Sequence, residues 1–243
     1  MRAEPRRRAA RALAAAAAVL LSPGIARALE CPAPPRADPR LAAIPAEERI
    51  VHLRQRLEAG RPGAEAWAWT WGIVDGAFTV GQLAAVPSAG STEQQWALVV
   101  GAASSALGVV QVLTVPLSPE RVPDLGGSCA ELARLEGSLE RSARNAELSS
   151  GWLAQVGNVV ANAAVGVAFG LADGRWQTGA VSFGVGWAIG EVQILTVPQG
   201  LVRDLERYRA GDLGGAADAG APGIAAAGLL RGRGGVVSLV VRF

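Results

Sequence analysis

Polar and apolar positions divide the chain into two kinds of segment. The first kind is amphipathic. Ile50, Leu53 and Leu57 recur at i, i+3 and i+7 among charged residues, and Leu132, Leu135, Leu139 and Ala146 repeat the stripe. That spacing predicts a helix with one buried face. Pro45 suits the first turn of the earlier helix, Glu47 and Glu48 suit its positive end, and Gly60 can end it. Glu140 and Arg144 lie one turn apart and can pair. The charges on both helices read as a solvated face.

The second kind is apolar throughout. Segments 67–86, 96–115, 152–171 and 176–197 each hold about 20 residues, enough as helix to cross about 30 Å of hydrocarbon. Trp67, Trp96, Trp152 and Trp176 open the four segments, with Trp69 and Trp71 close behind the first. Tryptophan favours the headgroup level of a bilayer. The connectors are short: positions 87–91 in the first pair and 173–175 in the second. Gly72 and Gly76, Gly166 and Gly170, and Gly186 and Gly190 have the small-xxx-small spacing that lets helices approach closely in lipid.

An internal repeat orders these segments. The run from Val110 to Pro116 reads VQVLTVP, and Val192 to Pro198 reads VQILTVP, so position 110 falls on position 192. The same offset aligns Gly108 with Gly190, and Ile50, Leu53, Leu57 and Glu58 with Leu132, Leu135, Leu139 and Glu140. Trp69 and Trp152 align with a shift of one. The expected fold class is therefore all-α: a helical membrane protein with four transmembrane helices. Its duplicated unit is one amphipathic helix plus an apolar helical hairpin. The expected division is a signal peptide over 1–28, a Pro-rich segment over 29–44, a first repeat over 45–116, a linker over 117–127 and a second repeat over 128–198. Residues 199–243 follow as a helix end and a flexible, irregular or β-like tail.

The segment 1–28 changes the compartment. Arg2, Arg6, Arg7, Arg8 and Arg11 precede an apolar run from Leu13 to Leu21, the breakers Ser22, Pro23 and Gly24, and Ala26-Arg27-Ala28. This is the order of a secretory signal peptide, with cleavage after Ala28. Export gives Cys31 and Cys129 an oxidising compartment and a disulfide as the expected state. The expected location is the cell envelope, in the inner membrane with periplasmic extramembrane parts; the outer membrane is the alternative. Arginine distribution disagrees with that orientation. The outer parts would hold Arg36, Arg40, Arg49, Arg54, Arg56, Arg61, Arg121, Arg134, Arg141 and Arg144, against Arg175 alone in a connector, and the positive-inside rule points the other way.

Two other architectures compete. One is a soluble secreted helical bundle. The other is an outer-membrane barrel, because Val181, Phe183, Val185, Trp187 and Ile189 alternate with small residues and the chain ends Val237, Leu239, Val241, Phe243. Barrel strands need about 9–11 residues, however, and the apolar segments run twice that length without a turn.

Composition removes several classes of function. The 243 residues carry a net charge of +2, with 23 arginines and no lysine, and show no basic face for nucleic acid. One histidine and two cysteines make neither a His/Cys metal site nor a His-based triad. His52, beside Val51 and Leu53, reads as a surface or boundary residue. No cofactor is implied, and no catalytic set is visible. A non-enzymatic structural or partner-binding role follows, with membrane lipid as one partner and a protein on the charged amphipathic helices as another; the oligomeric state is open. The alternative function is passage of an ion or small solute. It rests on polar residues inside the apolar segments: Asp75, Gln82, Gln111, Asn158, Asn162 and Glu191 form the candidate interior polar site. Asp75 and Glu191 are the acids well inside these segments, and such groups should face the bundle interior.

Overall fold

The computed structural model describes residues 30–214, together with the strands Ala226–Gly232 and Gly235–Val241. The expected signal peptide, 1–28, lies outside the described residues, as does most of the glycine-rich part of the tail. Seven α-helices carry the described fold: α1 (Pro39–Ala42), α2 (Ala46–Ala85), α3 (Thr92–Thr114), α4 (Cys129–Ser150), α5 (Trp152–Asp173), α6 (Trp176–Leu195) and α7 (Gly200–Arg209). A short 3-10 turn, Val86–Ser88, follows α2. The strands β1 (Ala226–Gly232) and β2 (Gly235–Val241) pair antiparallel, Ala226 opposite Val241.

The amphipathic stripes build a head. Ile50, Leu53 and Leu57 of α2 meet Leu132, Leu135 and Leu139 of α4, and Leu201, Leu205 and Tyr208 of α7 close the core. Ser128 caps α4 by accepting from the Glu131 N–H at 3.3 Å. Cys31 and Cys129 are joined as a disulfide, with Cα atoms 5.4 Å apart, which ties the start of the described chain to the start of α4.

From the head two helical hairpins extend. One is the C-terminal half of α2 against α3; the other is α5 against α6. A second apolar cluster, with Trp67, Trp71, Val112, Leu117, Ala146 and Val197, fills the junction between head and hairpins. At the far ends the connectors meet in an ion pair between Arg175 and Glu93.

Several expectations need correction. Gly60 does not end a helix: α2 runs unbroken through Gly60 and Pro62 for 40 residues. Gly60 lies against Leu201, whose Cδ2 would stand 2.6 Å from an added Cβ, so the glycine makes room for α7. The corresponding stretch later in the chain does break, at Gly151, whose extended backbone separates α4 from α5. Residues 181–189 alternate in sequence but lie inside α6. Residues 200–209, expected as a helix end, form a separate helix packed into the head. His52 is buried against Tyr208, with ring centroids 6.3 Å apart. Glu140 takes its hydrogen bond from Arg209 at 3.0 Å rather than pairing along its own helix.

The charged faces are not simply solvated. Arg49 is fully buried and pairs with Glu136, while its Nε donates to the Tyr208 hydroxyl at 2.9 Å. Tyr208 in turn donates to Glu136. Arg54 pairs with buried Glu131 at 2.7 Å, and Arg56 with Asp204 at 3.5 Å. Glu131 also accepts from the N–H groups of Leu125 and Gly127 at 2.9 and 3.0 Å.

Among the described residues, two helices are long and apolar enough to cross a membrane, Thr92–Thr114 and Trp152–Ala172. A third is reached if the bent pair Trp176–Leu195 and Gly200–Arg209 is taken as one span. The C-terminal half of α2 dilutes its apolar residues with three tryptophans, Asp75, Thr79 and Gln82.

Candidate functional site

Each hairpin is held by polar side chains laid against glycines. On α2, Asp75 packs on Gly108 of α3 and Gln82 packs on Gly101. On α5, Asn158 packs on Gly190 of α6 and Asn162 packs on Gly186. A Cβ at any of these four glycines would overlap the side chain opposite. The absence of a side chain thus lets a polar group sit inside an apolar helix pair. Hairpin two also brings backbone to backbone, with Gly166 and Gly179 in contact.

Between the hairpins runs a cleft of about 640 Å³. It is lined from Trp67 to Gln82 on α2, Ala97 to Gln111 on α3, Ala154 to Phe169 on α5 and Val181 to Ile194 on α6. About 14 to 16 residues of each helix correspond to about 21–24 Å of depth. All four helices therefore share one elongated space.

Five of the six candidate residues line it: Asp75, Gln82, Gln111, Asn158 and Asn162. Glu191 does not. Its Oε2 lies 3.5 Å from the Asn158 amide nitrogen, so it reaches the cleft only through Asn158. Asn158 also donates to the Trp187 carbonyl at 3.0 Å, and Asn162 donates to the Asn158 side-chain oxygen at 2.8 Å. Gln193 also lines the cleft and was not among the expected residues. The signal for it was present, because Gln193 repeats Gln111 in the aligned heptapeptide. Three buried atoms in this region make no well-formed hydrogen bond, Asp75 Oδ2, Gln82 Oε1 and Gln193 Nε2, although the Gln193 amide lies beside the Asp75 carboxyl.

The outward faces are the converse. Ile73, Val80 and Leu83 of α2, Leu113 of α3, Val160 and Leu171 of α5, and Leu195 of α6 are all exposed. Exposed tryptophans mark two levels: Trp69 and Trp152 near the head (both 71 %), Trp96 and Trp176 near the connectors (62 % and 57 %). In the register of Asp75 with Gly108, Trp96 is level with position 87. The register of Gly170 with Trp176 does the same for hairpin two. Each places its two tryptophans about 18 residues, or about 27 Å, apart along the axis. Trp67, expected at the interface, is instead buried; its Nε1 and that of Trp71 donate to Thr196 Oγ1 at 3.3 and 3.1 Å.

Among the described residues no group of three or more His, Cys, Asp or Glu is placed to hold a metal ion. No family model, no curated protein and no solved structure matches this chain.

Proposed function

We propose that this is an exported, non-enzymatic integral membrane protein in which two duplicated hairpins, four helices in all, enclose a route for a small polar solute. The cleft carries this reading: one space, lined by all four helices over about 21–24 Å, holds five polar residues that sequence alone groups together. A scaffold needs packing between the hairpins and has no use for an open cleft that gathers polar side chains between apolar ones. Two exposed tryptophan levels about 27 Å apart match the roughly 30 Å hydrocarbon layer and its interfacial belts. The fourth leg, in α2, is the least apolar of the four, and its Asp75 and Gln82 face the cleft and α3 rather than lipid.

In this reading the head stands on the outer, periplasmic side and the connectors on the inner side. The disulfide in the head supports that choice, because it needs an oxidising compartment. The head's arginines run against the positive-inside rule, yet Arg49, Arg54, Arg56, Arg141 and Arg209 are each engaged by a carboxylate. The charged head helices remain the surface for a protein partner.

Duplication has support beyond the repeated heptapeptide. Thr114 Oγ1 donates to the Val110 carbonyl at 2.7 Å, and Thr196 Oγ1, its counterpart in the second copy, donates to the Val192 carbonyl at 2.8 Å. Arg49 pairs with Glu136 while Arg54 pairs with Glu131. Position 49 aligns with 131, and 54 with 136. Each pair thus joins the first position of one copy to the second position of the other, which is the signature of a two-fold relation.

The test is alkaline carbonate extraction of membranes followed by solute exit from proteoliposomes. The expected result is retention in the membrane pellet and efflux of a trapped small polar solute that Ala161→Leu, which adds bulk at an exposed lining position of the cleft, suppresses. Release into the carbonate supernatant would overturn the membrane reading. Retention with no efflux would leave a scaffold.

A further inference from the structure

The cleft is chemically one-sided. Asp75 is its one ionisable lining group, and no arginine or histidine lines it among the described residues. Asp75 is 6 % exposed; the Gln193 amide lies beside its carboxyl, but no donor reaches Oδ2 in good hydrogen-bond geometry. Gln82 Oε1, about 10 Å further along α2, is a second buried acceptor without a donor. Leaving such groups unpaired in apolar surroundings is costly. A bound group that donates N–H removes that cost at the carboxylate, and a positive charge also offsets placing the carboxylate at membrane depth.

Size and lining narrow the ligand. About 640 Å³ is far larger than a bare metal ion needs and falls within the roughly 300–1,000 Å³ of organic-ligand pockets. Trp67, Phe78 and Phe169 add aromatic surface, which attracts organic cations as well as their apolar parts. An anion has no partner here, since no cationic side chain lines the space among the described residues.

Asymmetry points the same way. Asp75 and Asn158 play matching parts: each lies on a glycine of its hairpin partner, Gly108 and Gly190, which the repeat aligns with each other. Asn158 satisfies packing without charge, so packing alone does not call for the carboxylate at position 75.

We infer that the cleft takes a small primary organic ammonium ion, its nitrogen held at the Asp75 carboxylate and its organic part against Phe78, one turn further along α2. Gln82 offers the next acceptor toward the connectors. This rests on the reading of the cleft as a solute route and names its solute class.

The test uses the purified full-length protein in detergent and titration calorimetry with phenethylammonium, against its neutral isostere 2-phenylethanol. Saturable binding of phenethylammonium is expected, with 2-phenylethanol at least tenfold weaker. Asp75→Asn should weaken the ammonium at least tenfold and leave 2-phenylethanol unchanged. Glu47→Gln, which removes an exposed acid in the head, should leave both unchanged. Equal affinity for charged and neutral ligand in the wild type would overturn the inference, and that comparison does not depend on any variant folding. Absence of saturable binding by monodisperse wild-type protein, or undiminished binding by Asp75→Asn, would also overturn it. Carbonate extraction reports separately on the membrane reading: protein that stays in the bilayer and binds no ammonium removes this inference alone.

Discussion

Arg49 and Arg54 belong to the first half of the chain; the aligned positions of the second half hold Glu131 and Glu136. The hydrophobic positions around them are the same kind in both halves, and all are buried. The two halves therefore share a packing code and differ in charge. A two-fold pair of identical halves would set Arg49 and Arg54 against each other. With arginine on one half and glutamate on the other, each half fits its opposite and rejects a copy of itself. The hairpins divide in the same manner. Asp75 and Asn158 hold matching places on their glycines, one charged and one neutral. In the proposed duplication the shared positions supply the frame, and the differences between copies supply specificity in the head and chemistry in the cleft.

The largest effect should come from the buried charges. Arg49→Met strands Glu136 and Tyr208 in the core and should cost about 3–5 kcal/mol in thermal or denaturant unfolding. Reversing both arginines, Arg49→Glu with Arg54→Glu, should prevent folding. Adding Glu131→Arg and Glu136→Arg should recover part of the stability, because the exchange restores both ion pairs but not the hydrogen bonds that Glu131 accepts from Leu125 and Gly127. Failure of the fourfold variant to improve on the double one would break the two-fold reading.

Glycine substitutions sharpen the comparison of hairpins. A Cβ at Gly179 would collide with the Gly166 backbone, which cannot swing aside, so Gly179→Ala should cost about 1–3 kcal/mol. At Gly108 the obstacle is the Asp75 side chain, which can rotate. Gly108→Ala should cost less than Gly179→Ala by thermal unfolding in detergent.

Acid should act on the head in two steps. Burial lowers the His52 pKa from its ordinary 6.5, and neighbouring Arg56 adds to that. The unfolded chain thus takes this proton first, and stability falls as pH drops below about 6.5. Burial would push Glu131 up, but Arg54 and the Leu125 and Gly127 N–H groups outweigh it and hold it below its ordinary 4.5. Its contribution is complete above that value and is lost as pH falls below it. The first step should disappear in His52→Gln, measured by melting temperature against pH.

Much of this was legible in the chain. The i, i+3, i+7 stripes gave the head core, the two cysteines their partner, and the polar positions at helical spacing five of the cleft residues. What escaped was tertiary in origin. Gly60 reads as a stop, but Leu201 occupies the place of its missing side chain and the helix continues. Arg49 and Glu131 read as surface charges because their partners lie 87 and 77 residues away. Trp67, Trp69 and Trp71 cannot be ranked for burial without knowing which face Thr196 approaches. Residues 200–209 were read with the tail because their apolar stripe is only Leu201, Leu205 and Tyr208.

The central claim is that the hairpins cross a bilayer with the head outside. It is tested most directly by labelling single introduced cysteines in spheroplasts with a membrane-impermeant maleimide, the native disulfide left intact. Glu48→Cys on the head and Ser88→Cys in the first connector are both exposed sites. The account predicts that position 48 is labelled in intact spheroplasts and position 88 only after permeabilisation. Labelling of both positions from the outside would contradict it.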